Sequence, residues 1–473
     1  MKKLYRFSAI ALLVLPLIFT SCSDYLDRDD DDNITEADVF ARYEKVNGLV
    51  SDVYAAAKKA DRPLVFFEHF SNSAITDECE GTNVEGNITN NFNNGAWNPN
   101  SLPGSVGQYW EALYEGIRKA NLIIENVQKY NTPDNPQQDG DLRNRIGEMY
   151  FMRGYFHMLL LRMYGEAPYI DRVINAGDNM DFKKESVHSM VEKIVTDAQT
   201  AYGMVPNKYV KTSENFGRVD KGACLGLISF VRWVAATPLW NGASQYGYNL
   251  RRVFENEYAY DATRWRKAKE AAKAVLDFEV GGTKRYSLYT KHDANDFKDP
   301  ADGNLNDSRV YARLWDMFYD MDAFANEYVF FMTKSKDQAW QGDIYPPSRE
   351  GSSRQQPVQE QVDEYEYIVG DYGYPVYSAE ARKGGYDDTN PYVKGTRDPR
   401  FYRDVIYHGA PYRNNKNESK TINTASGSDK IGATNATTTG YYLRKFQQES
   451  WNKSGNFSIN APAIWRLPEF IYI

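Results

Sequence analysis

Apolar side chains recur at helical spacing through the first 280 or so residues, and that order is lost beyond them. The strongest stretch is 143–170, where Ile146, Met149, Tyr150, Phe156, Leu159, Leu160 and Met163 form a wide stripe on one helical face. Gly147 and Gly154 lie seven positions apart on that stripe. Each costs roughly 1 kcal/mol against Ala, so the pair predicts close approach by a neighbouring helix. Gly165 predicts a C-cap after Tyr164, and Pro168 prevents the helix from resuming.

The same periodicity predicts helices on either side. Thr35 with Asp38 reads as an N-cap, and Val39, Tyr43, Val46, Leu49, Val50, Val53 and Tyr54 carry a stripe to about Lys59. Trp110, Leu113, Tyr114, Ile117, Ile124 and Val127 predict a helix over 108–130; Val187, Met190, Ile194, Val195 and Ala198 predict another over 186–204. Cys224, Leu225, Leu227 and Ile228 start a helix after 217–223, and Trp265, Ala268 and Ala271 start one ending near Phe278. Helices stacked in pairs bury a continuous core through neighbour contacts. The expected fold is therefore mainly α: a tetratricopeptide-like solenoid of helical pairs, far from any true consensus repeat, with long irregular loops and a few short strands. Loops rich in Gly, Asp, Asn and Tyr dominate 281–460, where Asn326-Glu327-Tyr328-Val329-Phe330-Phe331 reads as a short apolar strand.

The first residues have another purpose. Lys2 and Lys3 precede an apolar run from Ala9 to Phe19, shorter than the about 20 residues that a spanning helix needs, as in a signal peptide over 1–21. Phe19-Thr20-Ser21-Cys22 is similar to a bacterial lipobox, which would leave Cys22 as an acylated mature N-terminus on an acidic tether, 22–34. The alternative is an ordinary signal peptide cleaved at a small residue.

Composition narrows the function. The net charge of −8 argues against a nucleic-acid partner, since phosphate binding needs a basic face. Five scattered histidines offer no metal triad, and His-Glu-x-x-His, Gly-x-Ser-x-Gly, a phosphate-binding glycine loop and Cys-x-x-Cys are all missing from the sequence. No cofactor is implied. Tyr is in excess at 36, with 9 Trp and 23 Phe, so rings either fill the core or stand exposed to stack on ligands. Cys224, on an apolar helix, reads as an inert buried thiol, and pairing with Cys79 is open.

Several segments together carry a resemblance: Cys22-x-Asp24-Tyr25-Leu26-Asp27, Arg153-x-Tyr155 with Arg162-x-Tyr164-Gly165-x-x-Pro168, Gly217-Arg218, Gln356-Pro357 through Asp363, Arg397-Asp398-Pro399-Arg400-Phe401, Tyr407-His408-Gly409, Gly440-Tyr441-Tyr442-x-x-Lys445-Phe446 and Ile464-x-Arg466-Leu467-x-Glu469. In this order they resemble the RagB/SusD family, the surface glycan-binding lipoproteins of Bacteroidetes. The resemblance implies a single domain over 35–473 that binds oligo- or polysaccharide without cleaving it. It also implies a SusC-like TonB-dependent transporter as partner, lipid anchoring in the outer membrane through Cys22, and surface export signalled by Asp29–Asp32. Two departures stand out. Pro468 replaces a usual Ala in what should be a helix, and the chain stops at Ile473 where the family continues, which predicts a truncated last helical unit over 461–473 with an uncovered apolar face.

Loops longer than about 15 residues are commonly functional or disordered. The loop 66–106 is long, polar and rich in amides. Asp77 and Glu78 could accept hydrogen bonds from sugar hydroxyls, Asn94 and Asn98 could donate and accept, and Trp97 could supply a flat apolar face. Alternatively Trp97 pins its own loop, and the acids are turn residues. Trp340 with Tyr345 is a second candidate, with packing against the scaffold as its alternative. The competing functions are a helical scaffold for peptides or proteins and a surface glycoside hydrolase using two carboxylates.

Overall fold

The structure, a computed structural model, describes residues 35–60, 70–81, 88–98, 100, 104–130, 136–209, 215–242, 254–290, 317–318, 320–332, 342–393, 395–413, 419–446 and 463–473. The leader, Cys22, the acidic tether and Trp340 lie outside these residues. Among the described residues no helix is long and apolar enough to cross a membrane.

The helical half begins with α1 (Glu36–Phe40) and α2 (Tyr43–Ala60), one helix in the sequence pattern but divided at Ala41. Thr35 and Asp38 form the reciprocal capping box at its start. After α3 (Ile88–Asn93) come α4 (Gly104–Tyr130), α5 (Pro136–Tyr164), α6 (Val187–Met204), α7 (Lys221–Ala236) and α8 (Ala262–Leu276). The long helices pack in succession, α2 on α4, α4 on α5, α5 on α6, α6 on α7 and α7 on α8. This is the solenoid expected from the apolar periodicity. Ser186, Asp220 and Asp261 cap α6, α7 and α8 by accepting from the backbone N–H groups of Ser189, Ala223 and Thr263.

α5 is the axis of this stack. A Cβ on Gly147 would come within 2.7 Å of Met204 Cβ, so the glycine is what lets the end of α6 approach. Gly165 ends α5 at φ +71°, the left-handed cap that an L side chain resists. Arg153 forms a bidentate pair with Asp197 of α6 (2.8 and 2.5 Å), and the same carboxylate accepts from Tyr169 at 2.6 Å. His157 is fully buried between the carbonyl of Arg153 (2.8 Å from Nδ1) and the Ile170 N–H (3.0 Å from Nε2). The second nitrogen must accept, so the ring is neutral with its proton on Nδ1. Burial holds its pKa down at about 3.

The remainder is built from short strands and turns around a second aromatic core of Tyr345, Phe401, Tyr402, Tyr407, Tyr441 and Tyr442. Its strands include β1 (Ile75–Thr76), β2 (Cys79–Gly81), β3 (Glu279–Val280), β4 (Thr283–Lys284), β5 (Tyr328–Phe331) and β6 (Gln355–Pro357), and β1, β2 and β6 form one antiparallel sheet. That sheet ties the early loop to the C-terminal part, with Cys79 opposite Pro357. Part of the tyrosine excess is core: Tyr155, Tyr258, Tyr328, Tyr345, Tyr402 and Tyr442 are among the largest fully buried side chains. Cys79 and Cys224 are both buried free thiols.

Residues 463–473 depart from the expected uncovered unit. Ala463–Arg466 pairs with β5, and Leu467–Ile471 forms a short helix against α8. Trp465, Leu467 and Phe470 are thereby buried in the main core. Pro468 kinks nothing, because it occupies the first turn, where its missing N–H has no intrahelical acceptor to lose.

Candidate ligand-binding cleft

The early loop and the C-terminal part meet at a cleft of about 480 Å³, within the range of small-ligand sites. One wall comes from Ser71, Ser73, Glu78 and Cys79, beside and on the β1–β2 hairpin. The opposite wall comes from Gln361, Tyr365, Arg400, Arg403, Asp404, Lys445 and Phe446. Two of these acids are locally restrained. Glu78 accepts from the Ser73 hydroxyl at 2.7 Å. Asp404 accepts from Arg403 Nη2 at 2.6 Å and from the Tyr365 hydroxyl at 3.0 Å. Arg400 is held by Asp398, Nη2 to Oδ2 at 2.5 Å, at the N-cap of the helix Pro399–Asp404.

This wall is positioned by buried ties between distant motifs. Arg397, only 2% exposed, donates to the carbonyls of Val362 (2.6 Å) and Tyr365 (2.9 Å). Gln356 accepts from the Thr438 N–H at 2.8 Å, and Gln359 accepts from the Tyr441 hydroxyl at 2.7 Å. These contacts leave Gln361 and Tyr365 lining the cleft.

The expected site residues separate. Glu78 lines the cleft, and Asp77 is exposed on the adjoining turn. Trp97, Asn94 and Asn98 are not cleft-lining. Trp97 is 39% exposed, with its ring 5.1 Å from that of Phe92, so it packs on its own loop while keeping an open face. Asn94 and Asn98 each accept from a backbone N–H two residues on, at 3.0 and 2.9 Å, as turn-forming amides do. Tyr345 is a correction: it is wholly buried and offers no face to a sugar. Gly351 folds back onto it so closely that a Cβ there would lie 1.9 Å from the Tyr345 carbonyl oxygen.

Sequence reasoning missed Ser71, Ser73, Tyr365, Arg403 and Asp404, and Gln361 stood inside a motif without a role. Arg400 and Lys445 stood inside quoted motifs without any chemistry attached to them.

With this geometry in view, the comparisons are consistent. Residues 24–231 match the SusD-like_3 family model, described as "starch-binding associating with outer membrane". Over those residues the chain is similar to the SusD-like family. A SusD-like protein P2 of Formosa agariphila is 24% identical over 202 residues, a match spanning 42% of this chain and 38% of the relative. A SusD-like protein of Bacteroides fragilis shares the fold at TM-score 0.68 and 18% identity, covering 92% of this chain and 75% of the other. A SusD-like carbohydrate-binding protein from the same species superposes at TM-score 0.65 and 14% identity, covering 92% and 73%. These likenesses show a SusD-like fold, in keeping with the mainly α solenoid that the periodicity predicts.

Proposed function

We propose that this chain captures oligo- or polysaccharide at the cell surface and passes it to a SusC-like TonB-dependent transporter. The observation that carries the reading is the cleft itself. It combines the Tyr365 and Phe446 rings with amides, hydroxyls and charged groups in about 480 Å³. A sugar ring has one apolar C–H face and a rim of hydroxyls, which such a mixed lining complements. The family description, starch-binding, agrees with it, and so does the carbohydrate-binding name of one fold neighbour. Transfer to a transporter and anchoring through an acylated Cys22 rest on the family resemblance and the lipobox-like sequence.

Binding without cleavage is part of the proposal. A hydrolase would need two free carboxylates across the cleft, whereas both Asp404 oxygens are engaged by Arg403 and Tyr365. The test is native electrophoresis of Asp24–Ile473 through gels carrying a panel of polysaccharides, with reducing ends assayed in parallel. Retardation without reducing-end release supports a binder. Release identifies a hydrolase, and a folded chain retarded by nothing in the panel favours a scaffold for peptides or proteins.

A further inference from the structure

The cleft contains three cationic side chains, and two of them are already engaged. Arg400 is paired with Asp398 and Arg403 with Asp404. Lys445 is different. Among the described residues its ammonium makes no hydrogen bond or ion pair, and it lies over the Phe446 ring, 5.3 Å from the centroid. Burial pushes this ammonium below the ordinary lysine range; Asp404 and Glu78 oppose that shift, and Arg403 and Arg466 add to it. A cation withdrawn from water without a partner is costly, and the cost is recovered when an anion arrives.

The local charge agrees. Asp398 offsets Arg400 and Asp404 offsets Arg403, which leaves Lys445 as the cation of the lining without a close counter-charge among the described residues. A neutral glycan would leave Lys445 unpaired. A glycan with an oxyanion substituent would satisfy it while its hydroxyls met Ser71, Ser73 and Gln361.

We propose that the ligand of this cleft is an acidic glycan, and that Lys445 is the specificity-determining residue, pairing with a carboxylate or sulfate of the sugar. This rests on the glycan-binding reading of the same cleft and narrows it to a chemical class.

The test is isothermal titration of Asp24–Ile473 with polygalacturonate (carboxylate), chondroitin sulfate (both oxyanions), carboxyl-reduced chondroitin sulfate (sulfate alone) and neutral starch, dextran and inulin. Lys445→Met, which keeps the stem and removes the charge, and Lys445→Arg are measured alongside, with circular dichroism to verify folding. The expected result is binding of at least one acidic polymer that weakens tenfold or more in Lys445→Met, is largely kept in Lys445→Arg, and falls with salt. Binding to polygalacturonate identifies a carboxylate ligand, and binding to the carboxyl-reduced polymer a sulfate. Neutral-polymer binding unchanged in Lys445→Met, with the acidic polymers inert, overturns the acidic class and leaves the glycan reading standing. A folded protein that binds none of the six overturns both.

Discussion

Arg218 donates from Nη1 to Oε2 of Glu148 at 2.9 Å, joining the segment ahead of α7 to the middle of α5. Glu148 is fully buried, and it also accepts from Arg145 (2.6 Å), Tyr54 (2.9 Å) and Tyr209 (2.7 Å). One carboxylate thus holds together α2, α5 and the loop that leads to α7. Truncating it removes the carboxylate that Arg145 and Arg218 share, a loss of about 3–5 kcal/mol. Urea denaturation of Glu148→Ala should show this. A change below about 1 kcal/mol would mean that solvent replaces the network.

The two glycines of α5 should respond in opposite directions. At Gly147 an added Cβ lies 2.7 Å from Met204 Cβ, so Gly147→Ala should overpack the α5–α6 contact and cost about 1–3 kcal/mol. At Gly154 the nearest atoms are at 3.4 Å, ordinary contact, so Gly154→Ala should be neutral or gain up to about 1 kcal/mol from helix propensity. Equal effects on the thermal midpoint would contradict this assignment.

These examples show what the sequence carried. Helix positions followed from apolar periodicity, and the glycine spacing foretold the close approach at Gly147. The division at Ala41 and the strand at Ala463–Arg466 were not legible, because tertiary pairing decides short elements. The site was harder. Glu78 was identified, but its partners across the cleft come from residues about 280 to 370 positions later, brought near by the β2–β6 pairing and the Arg397 carbonyl ties. No local pattern encodes that meeting. The signature motifs marked structural ties: Arg153 pairs with Asp197, and Arg397 spans Val362 and Tyr365.

His157 gives a pH dependence of known sign. Its folded pKa, near 3, is below the ordinary 6.5, so below pH 6.5 the unfolded chain takes up a proton that the folded chain refuses. Its contribution to stability is therefore present above pH 6.5 and lost as pH falls, by about 1.4 kcal/mol per unit down to the folded value. Between pH 7 and 5 that is about 2 kcal/mol. His157→Gln should be less stable at pH 7 and show a shallower acid slope. An unchanged slope would assign the acid loss to other groups.

The thiols should be inert while the chain is folded. Burial raises the pKa of both Cys79 and Cys224, and the thiolate is the reactive form. In Asp24–Ile473, a charged thiol reagent should label neither until denaturant unfolds the chain, and then label two. Rapid labelling of Cys79 in folded protein would show that the cleft opens to its inner wall.

The cleft is the central claim, and paired variants test it most directly. Glu78→Ala/Gln361→Ala removes two cleft-lining polar groups, and Trp97→Ala removes the half-open ring outside the lining. Titration of the polysaccharide that retards the wild-type chain should weaken at least tenfold in the cleft double variant and stay within about twofold in Trp97→Ala, a loss of about 1.4 kcal/mol or more against near zero. The reverse order, with binding lost at Trp97 and intact in the cleft variant, would move the site to the open face of the early loop and contradict the account.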